Sequence, residues 1–151
     1  MIGIFALEII DRSSVQAWSE GDVIRGIRFM CRLPDCRGSH LSCIEHFEIA
    51  VNGARIPLDR ILFCLNGKKL FPSEFPGLSY EYWRIDEPAL VCVTGVELKS
   101  LSELTVRFGM RVPYAGTLDE PVIVPHMDRF VLKKEGGISM RRSRLVSVCS
   151  V

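Results

Sequence analysis

The chain has 151 residues, 48% hydrophobic and 25% charged, with a net charge of +1, the balance of one folded domain with a single substantial core. So small a charge supplies no long-range field to gather nucleic acid or an anionic membrane surface. A mean hydropathy of +0.20 leans instead towards a domain that covers some apolar surface with a partner.

Residues 2–10 (IGIFALEII) are apolar but lack the basic start of an export signal, and Glu8 and Asp11 interrupt or close the run. About ten apolar residues fall short of the ~20 a membrane helix needs, so a buried first strand is expected, in a cytoplasmic protein whose cysteines stay reduced. The polar run Asp11–Asp22 reads as a turn and connection anchored by Trp18. From Val23 to Leu33 a period of two sets Ile27, Phe29, Cys31 and Leu33 against Gly26, Arg28, Met30 and Arg32, which marks a strand with one buried face. Pro34 closes it, and a polar loop, PDCRGSH, follows.

Cys43–Val51 repeats the pattern, with Phe47, Ile49 and Val51 facing away from His46 and Glu48. Asn52-Gly53 and Asn66-Gly67 are tight-turn pairs, because both residue types tolerate positive φ. Between them Ile61–Leu65 is a short apolar strand, and Lys68–Phe71 returns from the second turn. Pro72–Gly77 is a loop with one helical turn at most, and Tyr80–Ile85 a strand with Trp83 opposite Tyr80, Tyr82 and Arg84. Ala89–Leu98 is a further strand with a bulge at Gly95. Glu103–Val112 alternates most cleanly, with Leu104, Val106, Phe108, Met110 and Val112 inward, and Pro113 is expected to stop it. A loop to about Met127 and a last strand at Arg129–Lys134 complete the domain. No window carries a helical period, and short strands separated by regular turns argue for an all-β, antiparallel β-sandwich of about eight or nine strands. The sandwich spans residues 1–135, and residues 136–151, behind a Gly-Gly hinge, form a C-terminal extension, flexible or docked at an edge.

Reactive chemistry is sparse. The six cysteines show no two-residue spacing suited to zinc; Cys31, Cys64 and Cys92 sit in apolar runs where cysteine is a small hydrophobe. Cys36, beside Arg37 in a polar loop, is the thiol whose reactivity is worth testing. Among three histidines no His-x-His or His-Glu-x-x-His pattern occurs, which weakens a metal-dependent β-barrel enzyme. His46 reads as solvated. His40, with Asp35 and Arg37, lies in a loop closing one end of the sandwich, where binding residues concentrate. His126, with Asp128 and Arg129, is a second loop-borne group that could reach a partner or ligand. Arg28, Arg32, Arg107 and Arg111 form a guanidinium-lined surface if their strands are neighbours, and otherwise a solvated face with Glu partners. No nucleophile elbow, P-loop or dinucleotide fingerprint is present, and no self-contained catalytic or metal site is expected in the chain.

The order Arg32-Leu33-Pro34, Arg37-Gly38, Ile44-Glu45, Asn66-Gly67-Lys68, Trp83 and Arg111-Val112-Pro113-Tyr114 resembles the β subunit of bacterial C-glycoside deglycosidases over about residues 5–134. The family pattern has an aromatic before Arg-Gly where this chain carries Asp35-Cys36. The resemblance implies an accessory subunit of a carbon–carbon lyase. Its partner would be a larger α subunit, a sugar-isomerase-like (β/α)-barrel with a divalent metal, commonly manganese, in a hetero-oligomer of αβ units without nucleic acid or membrane. That complex would cleave 3-oxo-C-glycosides of flavonoid-type aglycones by elimination, the ketone acidifying the neighbouring sugar proton and the enolate being stabilised as the aglycone leaves. Partner- or pocket-facing candidates are Arg32, Asp35, Arg37, His40, Arg111, Tyr114 and His126. The rival class is a stand-alone carbohydrate-binding or adaptor sandwich, with Trp18, Tyr80, Tyr82 and Trp83 stacking on a sugar ring.

Overall fold

The computed structural model describes residues 8–35 and 37–132. Cys36 and the extension at 136–151 lie outside the described residues, as does most of the expected first strand, of which Ile10 forms a single bridge to Cys31. Eleven strands occur among the described residues: β1 (Gln16–Glu20), β2 (Val23–Cys31), β3 (Ser39–His40), β4 (Ile44–Val51), β5 (Ala54–Arg55), β6 (Ile61–Leu65), β7 (Lys68–Leu70), β8 (Tyr82–Trp83), β9 (Ala89–Thr94), β10 (Glu103–Gly116) and β11 (Pro121–Val131). They pair antiparallel in three sheets, ordered β1-β2-β9-β6-β7, β11-β10-β4-β5 and β3-β8. The all-β antiparallel reading holds, with more strands than the pattern suggests, several of them only two or three residues long and two of them longer than expected.

The inward faces are the alternating sets read from the sequence. Ile27, Phe29 and Cys31 of β2, Phe47, Ile49 and Val51 of β4, and Leu104, Val106, Phe108 and Met110 of β10 are all buried. Phe47, Phe63, Phe75, Trp83 and Phe108 meet at the centre, with ring centroids 4.9–6.0 Å apart and mostly edge-to-face, the geometry favoured by the ring quadrupole. Both Asn-Gly pairs adopt positive φ, 51° and 85° at Asn52-Gly53 and 55° and 74° at Asn66-Gly67, as a two-residue hairpin turn requires. Cys31 and Cys92 are buried and Cys64 half-buried, all as free thiols.

Several expectations are corrected. The run Asp11–Asp22 contains a 3₁₀ turn, Arg12–Ser14, and strand β1, which pairs with β2. Only Tyr82–Trp83 of the aromatic segment is strand, and Pro72–Gly77 is a six-residue 3₁₀ helix. Gly95 follows the end of β9 with φ 79° rather than bulging within it. Arg28 belongs to a different sheet from Arg107 and Arg111, and Arg32 lies just past the end of β2, so the four do not share one sheet face. Arg32 pairs with Glu8, Arg107 with Glu48 and Arg111 with Glu45, the solvated-face alternative.

The largest correction concerns Pro113, which does not stop its strand. β10 continues to Gly116 and β11 begins at Pro121, so the expected loop is a long hairpin. Leu132 N–H donates to Ser102 O (2.8 Å), and in the same register Glu103 lies opposite Val131. Even-numbered residues of β11 from 124 to 130 therefore bond to β10, and odd-numbered ones turn their backbone groups outwards. Pro125 occupies an outward position on an edge strand, where its missing N–H costs the ladder nothing. Pro113 lies in a wide irregularity: between the pairs Arg111–Ile123 and Gly116–Pro121, residues 112–115 oppose Val122 alone. A proline is tolerated there because no regular ladder is interrupted.

Candidate functional site

The bulged end of β10–β11 gathers most of the polar candidates. β4 last pairs with β10 at Ile44–Met110, so beyond Met110 the hairpin runs on as a two-stranded arm. Its turn is closed by Thr117 N–H donating to Glu120 O (3.1 Å) and Glu120 N–H donating to Thr117 Oγ1 (3.0 Å). Gly116 has φ 75°, and a Cβ there would lie 2.6 Å from Glu120 O, so the turn needs glycine twice over.

At the base of the arm, the loop after Pro34 reaches across. The Arg37 guanidinium sits 5.6 Å from the centroid of the Tyr114 ring, within cation–π range. Asp35 acts electrostatically on His126: burial holds the imidazole below its ordinary pKa, and the Asp35 carboxylate partly opposes that. Arg111 locks the arm to the start of β4. Its Nη2 donates to Ser42 O (3.2 Å), and Nε lies 3.4 Å from Glu45 Oε2, off the line of a hydrogen bond. A depression of about 360 Å³ runs along Arg111–Pro113 and Ala115–Leu118.

Asp35, Arg37, Tyr114 and His126 are thus brought to one end, with Arg111 beneath the bulge. Arg32 and His40 make their contacts elsewhere, Arg32 with Glu8 and His40 edge-on to Tyr82 at 4.9 Å. Asp128, paired in the sequence reading with His126, instead binds the backbone of Ile9 and Ile10 and the side chain of Arg12. Trp83 is fully buried, its Nε1 donating to Glu87 O (2.6 Å), so it offers no platform for a sugar. Tyr80 and Tyr82 remain exposed.

Apart from Tyr114, already a partner-facing candidate, the arm's apolar surface is not expected from the sequence. Tyr114 is 74% exposed and Leu118 91%, with Val122, Ile123 and Val124 also open to solvent. The signal is present in VIVPHMDRFV, a run long enough for a strand, but Pro121 before it and Pro125 within it suggest a loop. At the other end of β11 lies a larger open groove of about 920 Å³, lined by Val15, Ala17, Ile24, Val96, Leu98 and Phe130 among others. Among the described residues no group of His, Cys, Asp and Glu is arranged to hold a metal ion, and no helix is long and apolar enough to cross a membrane.

Fold and site define an antiparallel all-β domain that presents an apolar arm with polar groups at its base. Residues 5–114 match the family model of the C-glycoside deglycosidase beta subunit, and the chain belongs to that family. It is 27% identical over 127 residues to the C-glycoside deglycosidase beta subunit of Eubacterium cellulosolvens, covering 83% of this chain and 86% of that protein.

Proposed function

We propose that this chain is the non-catalytic subunit of a cytoplasmic C-glycoside deglycosidase complex, a carbon–carbon lyase acting on 3-oxo-C-glycosides of flavonoid-type aglycones. The observation that carries this reading is the family match over residues 5–114, together with a beta-subunit relative aligned over most of both chains. Following the family reading, we assign every step of the reaction to the partner subunit. A larger α subunit, a sugar-isomerase-like (β/α)-barrel, supplies the divalent metal, manganese, and the acid–base groups of the elimination. The β-sandwich, residues 1–135, supports that barrel in an assembly of αβ units.

The experiment is reconstitution. The chain and the α subunit are purified separately and together, and cleavage of a 3-oxo-C-glycoside is followed alongside metal content. Activity and manganese are expected in the αβ preparation, with neither in this chain alone. Full activity of the α subunit without this chain, or turnover by this chain unaided, overturns the proposal.

A further inference from the structure

Resting on the reading of this chain as one subunit of a complex, we infer that the β10–β11 arm, residues 111–124, is its docking element. It enters an apolar recess of the companion subunit whose rim is basic.

Beyond the end of β4 no third strand among the described residues pairs with the arm, and a two-stranded ribbon in water is marginal by itself. Yet it carries Tyr114 (74% exposed), Leu118 (91%), Val122 (44%), Val124 (39%) and Ile123 (38%), large apolar side chains open to solvent within one short ribbon, a concentration of the kind that marks an interaction site. Its shape is preset. The Thr117–Glu120 bonds close the tip, Arg111 ties the base to Ser42, and Arg37 lies over Tyr114. Little ordering is then left to oppose binding, and a supported tyrosine is a characteristic anchor of interface energy.

Charge and backbone select the occupant. From Val112 to Pro125 the chain has no Lys or Arg, and its two charges are Asp119 and Glu120, both exposed at the tip. Two copies meeting tip to tip would oppose like charges. Pairing along the free edge is also blunted. Pro125 faces outwards by the register given above. Pro121 does too, because the neighbouring pair Thr117–Glu120 is the bonded one. Of the outward positions 121, 123 and 125 only Ile123 keeps an N–H, so this edge has little to donate to an added strand. Side-chain packing into a different protein, with Lys or Arg facing Asp119 and Glu120, satisfies both constraints.

The test uses the full chain and the α subunit, with binding measured by titration calorimetry and complex mass by light scattering. Leu118→Asp and Tyr114→Ala should each weaken association at least tenfold with unchanged thermal midpoints. Asp119→Lys with Glu120→Lys should weaken it and flatten its salt dependence. Ile24→Asp and Tyr80→Ala, exposed elsewhere, should stay within twofold. If the native chain binds while the arm variants bind equally well, the arm is not the interface and only this inference fails. A dimer of this chain lost on Leu118→Asp also overturns it. If the native chain does not bind the α subunit, the subunit reading falls and the inference with it.

Discussion

Arg12 and Asp128 form a bidentate pair across the sandwich edge, Nη1 to Oδ2 and Nη2 to Oδ1 both at 3.0 Å, with each side chain 10% exposed. Asp128 Oδ2 also accepts from Ile9 N–H at 2.9 Å and Ile10 N–H at 2.8 Å, and Arg12 lies over the Phe130 ring at 5.2 Å. One carboxylate thus fastens the chain's entry segment to β11. Asp128→Ala should lower the unfolding free energy by about 2–4 kcal/mol, because it leaves two N–H groups without their acceptor and takes the bidentate partner from a shielded guanidinium that keeps only Glu8 and the carbonyls of Ile10 and Arg129. Arg12→Met should cost less, since both backbone donors keep their acceptor. Urea unfolding of the two variants gives the order, and equal losses would contradict the clamp.

His126 supplies a pH dependence. Burial lowers its folded pKa below the ordinary 6.5, so the unfolded chain takes up the proton first as pH falls. Stability from this residue is intact above the unfolded value, declines as pH drops below about 6.5, and is fully lost below the folded pKa. His126→Gln should reduce the slope of stability against pH in that window. In an NMR titration the His126 ring should show a midpoint below 6.5, and Asp35→Asn should move it lower still. A midpoint above 6.5 would reverse the assignment.

Asn52 does more than turn the chain. Its Oδ1 accepts from Ser102 N–H (2.7 Å), Ser102 Oγ (2.8 Å) and Glu103 N–H (2.9 Å), while Nδ2 donates to Ser100 O (2.8 Å). Asn52→Ala loses these bonds and strains a φ of 51°, an expected cost of about 2 kcal/mol. Asn52→Gly keeps the backbone free and should cost less. Thermal melts separate the bonding part from the conformational part.

The thiols differ in reach. Burial, then neighbouring Cys64, pushes Cys92 up to about 11, and burial raises Cys31 further. Neither is a thiolate near neutrality. Alkylation at pH 8 followed by mass spectrometry should leave both unmodified until denaturant is added. Rapid labelling of either in the native protein would show that its strand opens.

The sequence alone determined the strand alternation, the two Asn-Gly turns and the buried cysteines, because each depends on residues adjacent along one strand. The family resemblance was legible for a related reason, since its motifs lie on those strands and turns. Only the tertiary structure decided the arm, the separation of Arg28 from Arg107, and the clamp at Asp128. A proline leaves a strand intact where the ladder does not need its absent N–H: Pro125 faces outwards and Pro113 lies in an irregularity of the pairing, and neither place is defined before the strands pair. Likewise a carboxylate in PHMDRF looks available until a segment from the far end of the chain settles upon it. Periodicity states which face is apolar; pairing states what that face, and each edge, will meet.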